Sequence, residues 1–298
     1  MEQVLAIVTL GLLKSYGSVR ALKGVDLEVR QGEIFGFLGP NGAGKTTTIR
    51  CLLDMIRPNG GKVRVFGLDP QREPVAVRAR VGYLPGELHF DQNMKVEGIL
   101  RYFNQLRHEQ ADWEYVRQLA NRLDLDLKIV IKNLSKGNKQ KVGVIQALMH
   151  KPELLMLDEP TSGLDPLVQQ EVLRIIRNAQ KEGATVFFSS HNLSEVQQIA
   201  DRVGIIRSGQ VVEVAETSSL INRSLRRVYV RFKQPVEVES LARVPGVKVL
   251  SHDDNLSLVL QVEGEMDALI KTLSNYSVSD FETEHPSLEE IFLAYYEK

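Results

Sequence analysis

Three short segments carry side chains able to act together on a phosphoryl group. Gly39-Pro40-Asn41-Gly42-Ala43-Gly44-Lys45-Thr46 has the full spacing of a phosphate-binding loop, continued by Thr47. Its glycines let successive backbone N–H groups turn inward on phosphate oxygens, and the following helix adds its positive end. In that pattern Lys45 reaches the β and γ phosphates of a nucleotide and the Thr46 hydroxyl ligates Mg²⁺. Asp158-Glu159 closes an apolar run. One carboxylate there would hold the metal, and the other would orient and deprotonate an attacking water. His191 follows a third β-rich run, from which its imidazole could reach the γ-phosphate or the water. The chemistry this set can do is hydrolysis of a nucleoside triphosphate.

A fourth segment, Leu134-Ser135-Lys136-Gly137-Asn138, opens a helical run with Val142, Ile145 and Leu148/Met149 on one face. Ser135 reads as the N-cap of that helix. A cap hydroxyl and a helix N-terminus can equally address an anion.

The elements that must position these groups are legible up to about Glu216. Short β-rich runs alternate with amphipathic helical stretches, the pattern of an α/β domain with a largely parallel sheet. Ile34–Leu38, Leu154–Leu157 and Thr185–Ser189 are apolar enough to be buried strands. The three polar clusters then lie at their C-terminal ends, where open α/β sheets bind ligands. Val168, Val172, Ile175, Ile176 and Ala179 recur at helical spacing, with Pro166 in the first turn. Residues from about His89 to His150, with Tyr102, Phe103, Trp113 and Leu119, are helix-like and read as an inserted helical subdomain. The expected division is 1–218 and 219–298. The second part has strands near Arg227–Phe232, Val247–Val249, Leu256–Val262 and Val278–Phe281. With helices at Val238–Leu241 and Met266–Leu273, it forms a β-α-β-β-α-β, ferredoxin-like unit. A last helix would place Leu288, Ile291, Phe292, Tyr295 and Tyr296 on one face.

Composition narrows the class. The 298 residues are 43% hydrophobic and 25% charged, ordinary for a globular chain with a core. A net charge of −1 gives no global electrostatic reason to bind nucleic acid or anionic lipid. The Arg223, Arg226, Arg227, Arg231 and Lys233 run reads as a solvated face. A single cysteine, Cys51, excludes an internal disulfide framework. Val4–Leu13 is about half the roughly 20 residues a membrane-spanning helix needs, and Glu2 makes it a poor signal peptide.

In order and spacing, the segments over roughly residues 4 to 216 resemble the ATP-binding subunit of ABC transporters. The family's Walker A, signature, Walker B, D-loop and switch histidine fall on Gly39–Thr46, Leu134–Asn138, Leu154–Glu159, Ser162–Asp165 and His191. Tyr16 matches its adenine-stacking aromatic. The resemblance implies a head-to-tail dimer, homomeric or heteromeric, that closes on two ATP molecules. Ser135, Gly137 and Asp165 of one chain then complete the site of the other. It implies ATP and Mg²⁺ as cofactors, and a separate membrane permease that holds the subunit on the cytoplasmic side of the membrane.

Two departures from the family pattern stand out. Lys136 and Asn138 replace the first Gly and the Gln of LSGGQ. After Tyr83-Leu84-Pro85, where the family has a coupling glutamine, this chain has Gly86 and then Glu87. A Ser-Lys-Gly signature, a Leu-Pro-Gly-Glu loop and the Pro286–Phe292 segment are similar to bacterial ABC-2 or drug-resistance exporters. A soluble ABC ATPase acting on ribosomes or nucleic acid is the alternative. It is opposed by the single cassette, the near-neutral charge, and the lack of a long coiled-coil insert or zinc-binding cysteines.

Overall fold

The computed structural model describes residues 4–109, 111–219 and 225–284. The chain divides into two compact units, Met1–Ala215 and Glu216–Lys298. In the first, strands β1 (Leu5–Tyr16), β2 (Val19–Arg30) and β4 (Gly60–Val65) form an antiparallel sheet of order β2-β1-β4. A six-stranded sheet is built from β3 (Ile34–Leu38), β5 (Val81–Leu84), β6 (Leu154–Asp158), β7 (Thr185–Ser190), β8 (Arg202–Arg207) and β9 (Gln210–Glu216). Its order is β5-β6-β7-β3-β8-β9.

Strands β3, β6 and β7 are buried along their whole length. That is why they read as continuous apolar runs and not as alternations. β3 pairs parallel with β7 on one side and β8 on the other, and β6 pairs parallel with β7. Phe35 and Phe187 stack across the β3–β7 pair with centroids 5.8 Å apart. Because β3, β6 and β7 are parallel neighbours, the loops leaving their C-terminal ends converge on one edge of the sheet.

The helices of this unit include α1 (Lys45–Leu52), α2 (Pro74–Ala79), α3 (Val96–Leu106), α4 (Trp113–Arg122), α5 (Lys136–Leu148), α6 (Pro166–Lys181) and α7 (Leu193–Ile199). The segment between β5 and β6 contains α3, α4, a 3₁₀ turn at Ile131–Asn133 and α5, with no named strand among its described residues. Val96, Leu100, Val116, Leu119, Val142 and Ile145 are buried there.

The second unit has strands β10 (Leu225–Phe232), β11 (Val247–Asp253), β12 (Ser257–Glu263) and β13 (Val278–Glu284), with helices Val238–Ala242 and Asp267–Leu273. All its strand pairs are antiparallel, in the order β11-β12-β10-β13. This is the ferredoxin-like arrangement, over a core that includes Val228, Val230, Leu258, Leu260, Leu241 and Leu269. β11 runs through Asp253, further than Val249, because Ser251, His252 and Asp253 continue the backbone pairing with β12 while exposed, with no buried apolar alternation to mark them in the sequence. In the arginine run Arg231 and Lys233 are exposed and Arg226 and Arg227 half-buried; Arg227, Tyr229 and Arg231 stand opposite Glu284, Glu282 and Asp280 on the exposed edge strand. Opposite charges in directly facing positions favour that pairing. Arg223 and the expected helix containing Leu288, Ile291, Phe292, Tyr295 and Tyr296 lie outside the described residues.

Candidate active site

The loop after β3 closes on its own lysine. Lys45 is only 5% exposed, and its Nζ donates to the carbonyls of Gly39 at 2.6 Å and Pro40 at 3.2 Å. Gly39 N–H donates to Ser190 O, Ala43 N–H to Pro40 O, and Gly209 N–H to Ala43 O, so the loop is tied to two neighbouring segments. Gly44 has φ +112°, and a Cβ there would lie 2.9 Å from Ala21 O. Only glycine meets both conditions without strain. Pro40, Asn41, Gly42, Thr46 and Thr47 follow the same turn into α1, and Thr46 and Thr47 are half-buried.

Glu159 sits beyond the end of β6, held at every polar group. Its N–H donates to Ser189 Oγ at 3.0 Å. Its carbonyl accepts from Gln140 Nε2 at 3.1 Å and from Ser162 N–H at 3.1 Å. Oε1 lies 3.3 Å from Lys45 Nζ, and Oε2 lies 2.9 Å from His191 Nδ1. The backbone of Glu159 is left-handed, φ +52°. For a residue with a side chain that conformation costs about 1–3 kcal/mol and persists only where surrounding contacts enforce it.

Asp158 is buried. Its Oδ1 accepts from Ser189 Oγ at 2.6 Å, and its Oδ2 has no hydrogen-bond partner. A buried carboxylate oxygen without a partner is costly, and a cation beside it would remove the cost. Among the described residues no cluster of three or more His, Cys, Asp or Glu fits a metal. Mg²⁺ needs no such cluster, since it binds through one carboxylate, a hydroxyl and phosphate oxygens. The residues therefore fit that ion. The same carboxylate raises the pKa of nearby Tyr83, although burial raises it more.

Ser135 caps α5 by accepting from Asn138 N–H at 3.1 Å, and Asp165 caps α6 by accepting from Val168 N–H at 3.1 Å. Gly137 lies so close to the turn before α6 that a Cβ would stand 2.7 Å from Gly163 O. Among the described residues no hydrogen bond or ion pair joins the Ser135–Gly137 turn to the Gly39–Lys45 loop. The structure thus brings Lys45, Asp158, Glu159 and His191 together and leaves Ser135, Gly137 and Asp165 outside that set. Tyr16, at the end of β1, is 47% exposed, with Lys14 Nζ 5.2 Å from its ring centroid. A Cβ at Gly86 would stand 3.1 Å from Asp158 Oδ2, and the next residue, Glu87, is exposed. Beside that loop opens a cavity of about 280 Å³, lined by Met55, Tyr83, Pro85, Leu88, Phe90 and Phe103 among others.

Sequence reasoning missed Gln140, Ser189 and a small network around Glu195. Thr161 Oγ1 and Ser190 Oγ each donate to one oxygen of Glu195 at 2.7 Å, clamping the start of α7 to the turn after Glu159. A polar Ser189-Ser190 pair ending an otherwise apolar strand was the available signal.

Residues 22–162 match the family described as "ABC transporter", and residues 219–296 match "ATP-binding protein DrrA1-3-like, C-terminal domain". The chain is 35% identical to the bacitracin transport ATP-binding protein BcrA of Bacillus licheniformis, across 92% of this chain and 95% of that protein. It is 34% identical to the daunorubicin/doxorubicin resistance ATP-binding protein DrrA of Streptomyces peucetius, across 97% and 92%. Among solved structures, an ATP-binding subunit of an ABC transporter aligns with TM-score 0.66 and 27% identity, over 72% of this chain and 91% of that one. A dimeric bacterial ABC transporter cassette aligns with TM-score 0.64 over 71% and 98%; at 20% identity this speaks for the fold alone.

Proposed function

Because the chain belongs to the family of ABC transporter ATP-binding subunits, in its drug-resistance exporter branch, we propose that its ATP hydrolysis drives export through a separate permease chain. One observation carries the catalytic part: Glu159 is held between Lys45 and His191 at the mouth of the phosphate-binding loop. A carboxylate so placed can take the proton of an attacking water while the lysine and imidazole offset charge on the phosphoryl oxygens. Nothing observed favours action on ribosomes or nucleic acid.

Mg²⁺ belongs in this reading, held by Thr46 and Asp158, where it would draw negative charge from the phosphate oxygens. Tyr16 is assigned to stack on adenine. Ser135, Gly137 and Asp165 are assigned to the partner chain's nucleotide, in a head-to-tail dimer. Their separation from their own chain's loop contacts supports this, as does the helix N-terminus at Ser135, which suits an anion. The apolar cavity beside Gly86-Glu87 is assigned to a cytoplasmic segment of the permease. That would hold the subunit on the cytoplasmic face. Among the described residues no helix is long and apolar enough to cross a membrane. Relatives are named for bacitracin, daunorubicin and linearmycin, so the working cargo is a compound of the antibiotic type.

The test is reconstitution of the chain with a candidate permease in sealed vesicles. ATP- and Mg²⁺-dependent movement of an antibiotic away from the side bearing the subunit supports export. Hydrolysis without movement for every candidate permease and cargo refutes it.

A further inference from the structure

Gln140 is a polar side chain only 4% exposed, on the second turn of α5. Its Nε2 lies 3.1 Å from Glu159 O and 3.1 Å from Pro160 O. Two carbonyl acceptors face one side-chain end, so that end must be the amide nitrogen, and its two hydrogens are matched one to each oxygen. Burying an amide this deeply is unfavourable without such partners. The partners also lie at an unusual place. Glu159 has left-handed backbone, and its N–H is held by Ser189 from β7. The two ends of its backbone are therefore gripped by side chains from different elements.

We infer that Gln140 is a positioning residue for hydrolysis: it fixes the left-handed backbone of Glu159 and so aims the carboxylate that serves as base. The helix doing this also begins at Ser135, five residues earlier. One rigid element thus carries both the turn assigned to the partner's nucleotide and the support of this chain's own base. This inference rests on Glu159 being the base.

The experiment measures ATP affinity, KM and kcat of the full chain as wild type, Gln140→Met, Glu159→Gln and the double variant. Methionine keeps the length and removes both donors. A base displaced by about an ångström loses on the order of 10²-fold in rate. Gln140→Met should therefore lose about 10- to 100-fold in kcat, with affinity and KM within about threefold. In the Glu159→Gln background the same change should cost less than about twofold, because a residue acting through another has nothing left to position. A kcat near wild type for Gln140→Met, a loss confined to affinity, or an equal loss in both backgrounds overturns the inference. If Glu159→Gln itself keeps its turnover, the base assignment falls and this inference falls with it. If Glu159→Gln is inactive while Gln140→Met is normal, only this inference falls.

Should Gln140→Met not fold, Gln140→Glu replaces it. Its carboxylate cannot donate, but its protonated form offers one O–H, so its turnover relative to wild type should rise as pH is lowered. A pH-independent ratio overturns the inference.

Discussion

Lys45 Nζ lies 3.3 Å from Glu159 Oε1, so the cation of the phosphate-binding loop and the carboxylate at the end of β6 form a direct ion pair. The lysine is almost fully buried, and the glutamate is 22% exposed. A phosphate oxygen approaching Lys45 competes with Glu159 for the same ammonium. Nucleotide binding and release of the base are thereby coupled through one contact.

Glu159→Gln keeps the size of the side chain and removes its basicity. ATP should bind no more weakly than to wild type, since the carboxylate that competes for Lys45 loses its charge, while turnover falls roughly 10²–10⁴-fold, the usual cost of losing a general base. The variant should also accumulate as a nucleotide-bound dimer, visible by size-exclusion chromatography in ATP. Near-normal turnover would place the base elsewhere.

Lys45→Ala and Ser135→Arg should each be inactive, yet a mixture of the two should regain activity. In the mixed dimer one site combines the intact Lys45 of one chain with the intact Ser135 of the other. Steady-state hydrolysis against mixing ratio reads this directly. Inactivity at every ratio, with mixed dimers demonstrated, would exclude the head-to-tail arrangement.

Glu87→Ala addresses the loop that departs from the family pattern. Gly86 is pressed against Asp158 while Glu87 points to solvent beside the apolar cavity. A coupling role predicts ATP affinity within a few fold, with permease-stimulated turnover and transport both depressed. Stimulation and transport equal to wild type would leave Glu87 an ordinary surface residue.

His150, just beyond α5, supplies a pH dependence. Both ring nitrogens are buried, and no hydrogen bond of full geometry reaches either. Burial, and then the charge of Arg107, push its pKa down to about 4, against a weak opposing effect of the Val81 backbone. Between the unfolded value near 6.5 and about 4, the unfolded chain binds the proton and the folded one does not. Stability is therefore full above that window and falls as pH drops through it, by about 2 kcal/mol after solvent screening. The Tm of wild type should drop from neutral to acidic pH more steeply than that of His150→Leu. Parallel profiles would remove His150 as the cause.

Local order along the chain determined a good deal. The glycine spacing before Lys45 is that of a phosphate-binding loop, and the cap at Ser135 follows from residue type next to a helical period. The fully apolar strands and the β-α-β-β-α-β order of the second unit were equally legible, because strand and helix periodicities are properties of neighbouring residues. What surrounds Glu159 was decided by the tertiary structure. Gln140, Ser189 and Lys45 reach it from 19, 30 and 114 residues away in sequence, by way of parallel strand order and the packing of α5. The placement of Gly86 against Asp158, and the facing of Arg227, Tyr229 and Arg231 by an acidic edge strand, have the same origin. Such contacts depend on which elements become neighbours, a choice made by burial of the whole core, and no local pattern of residues encodes it.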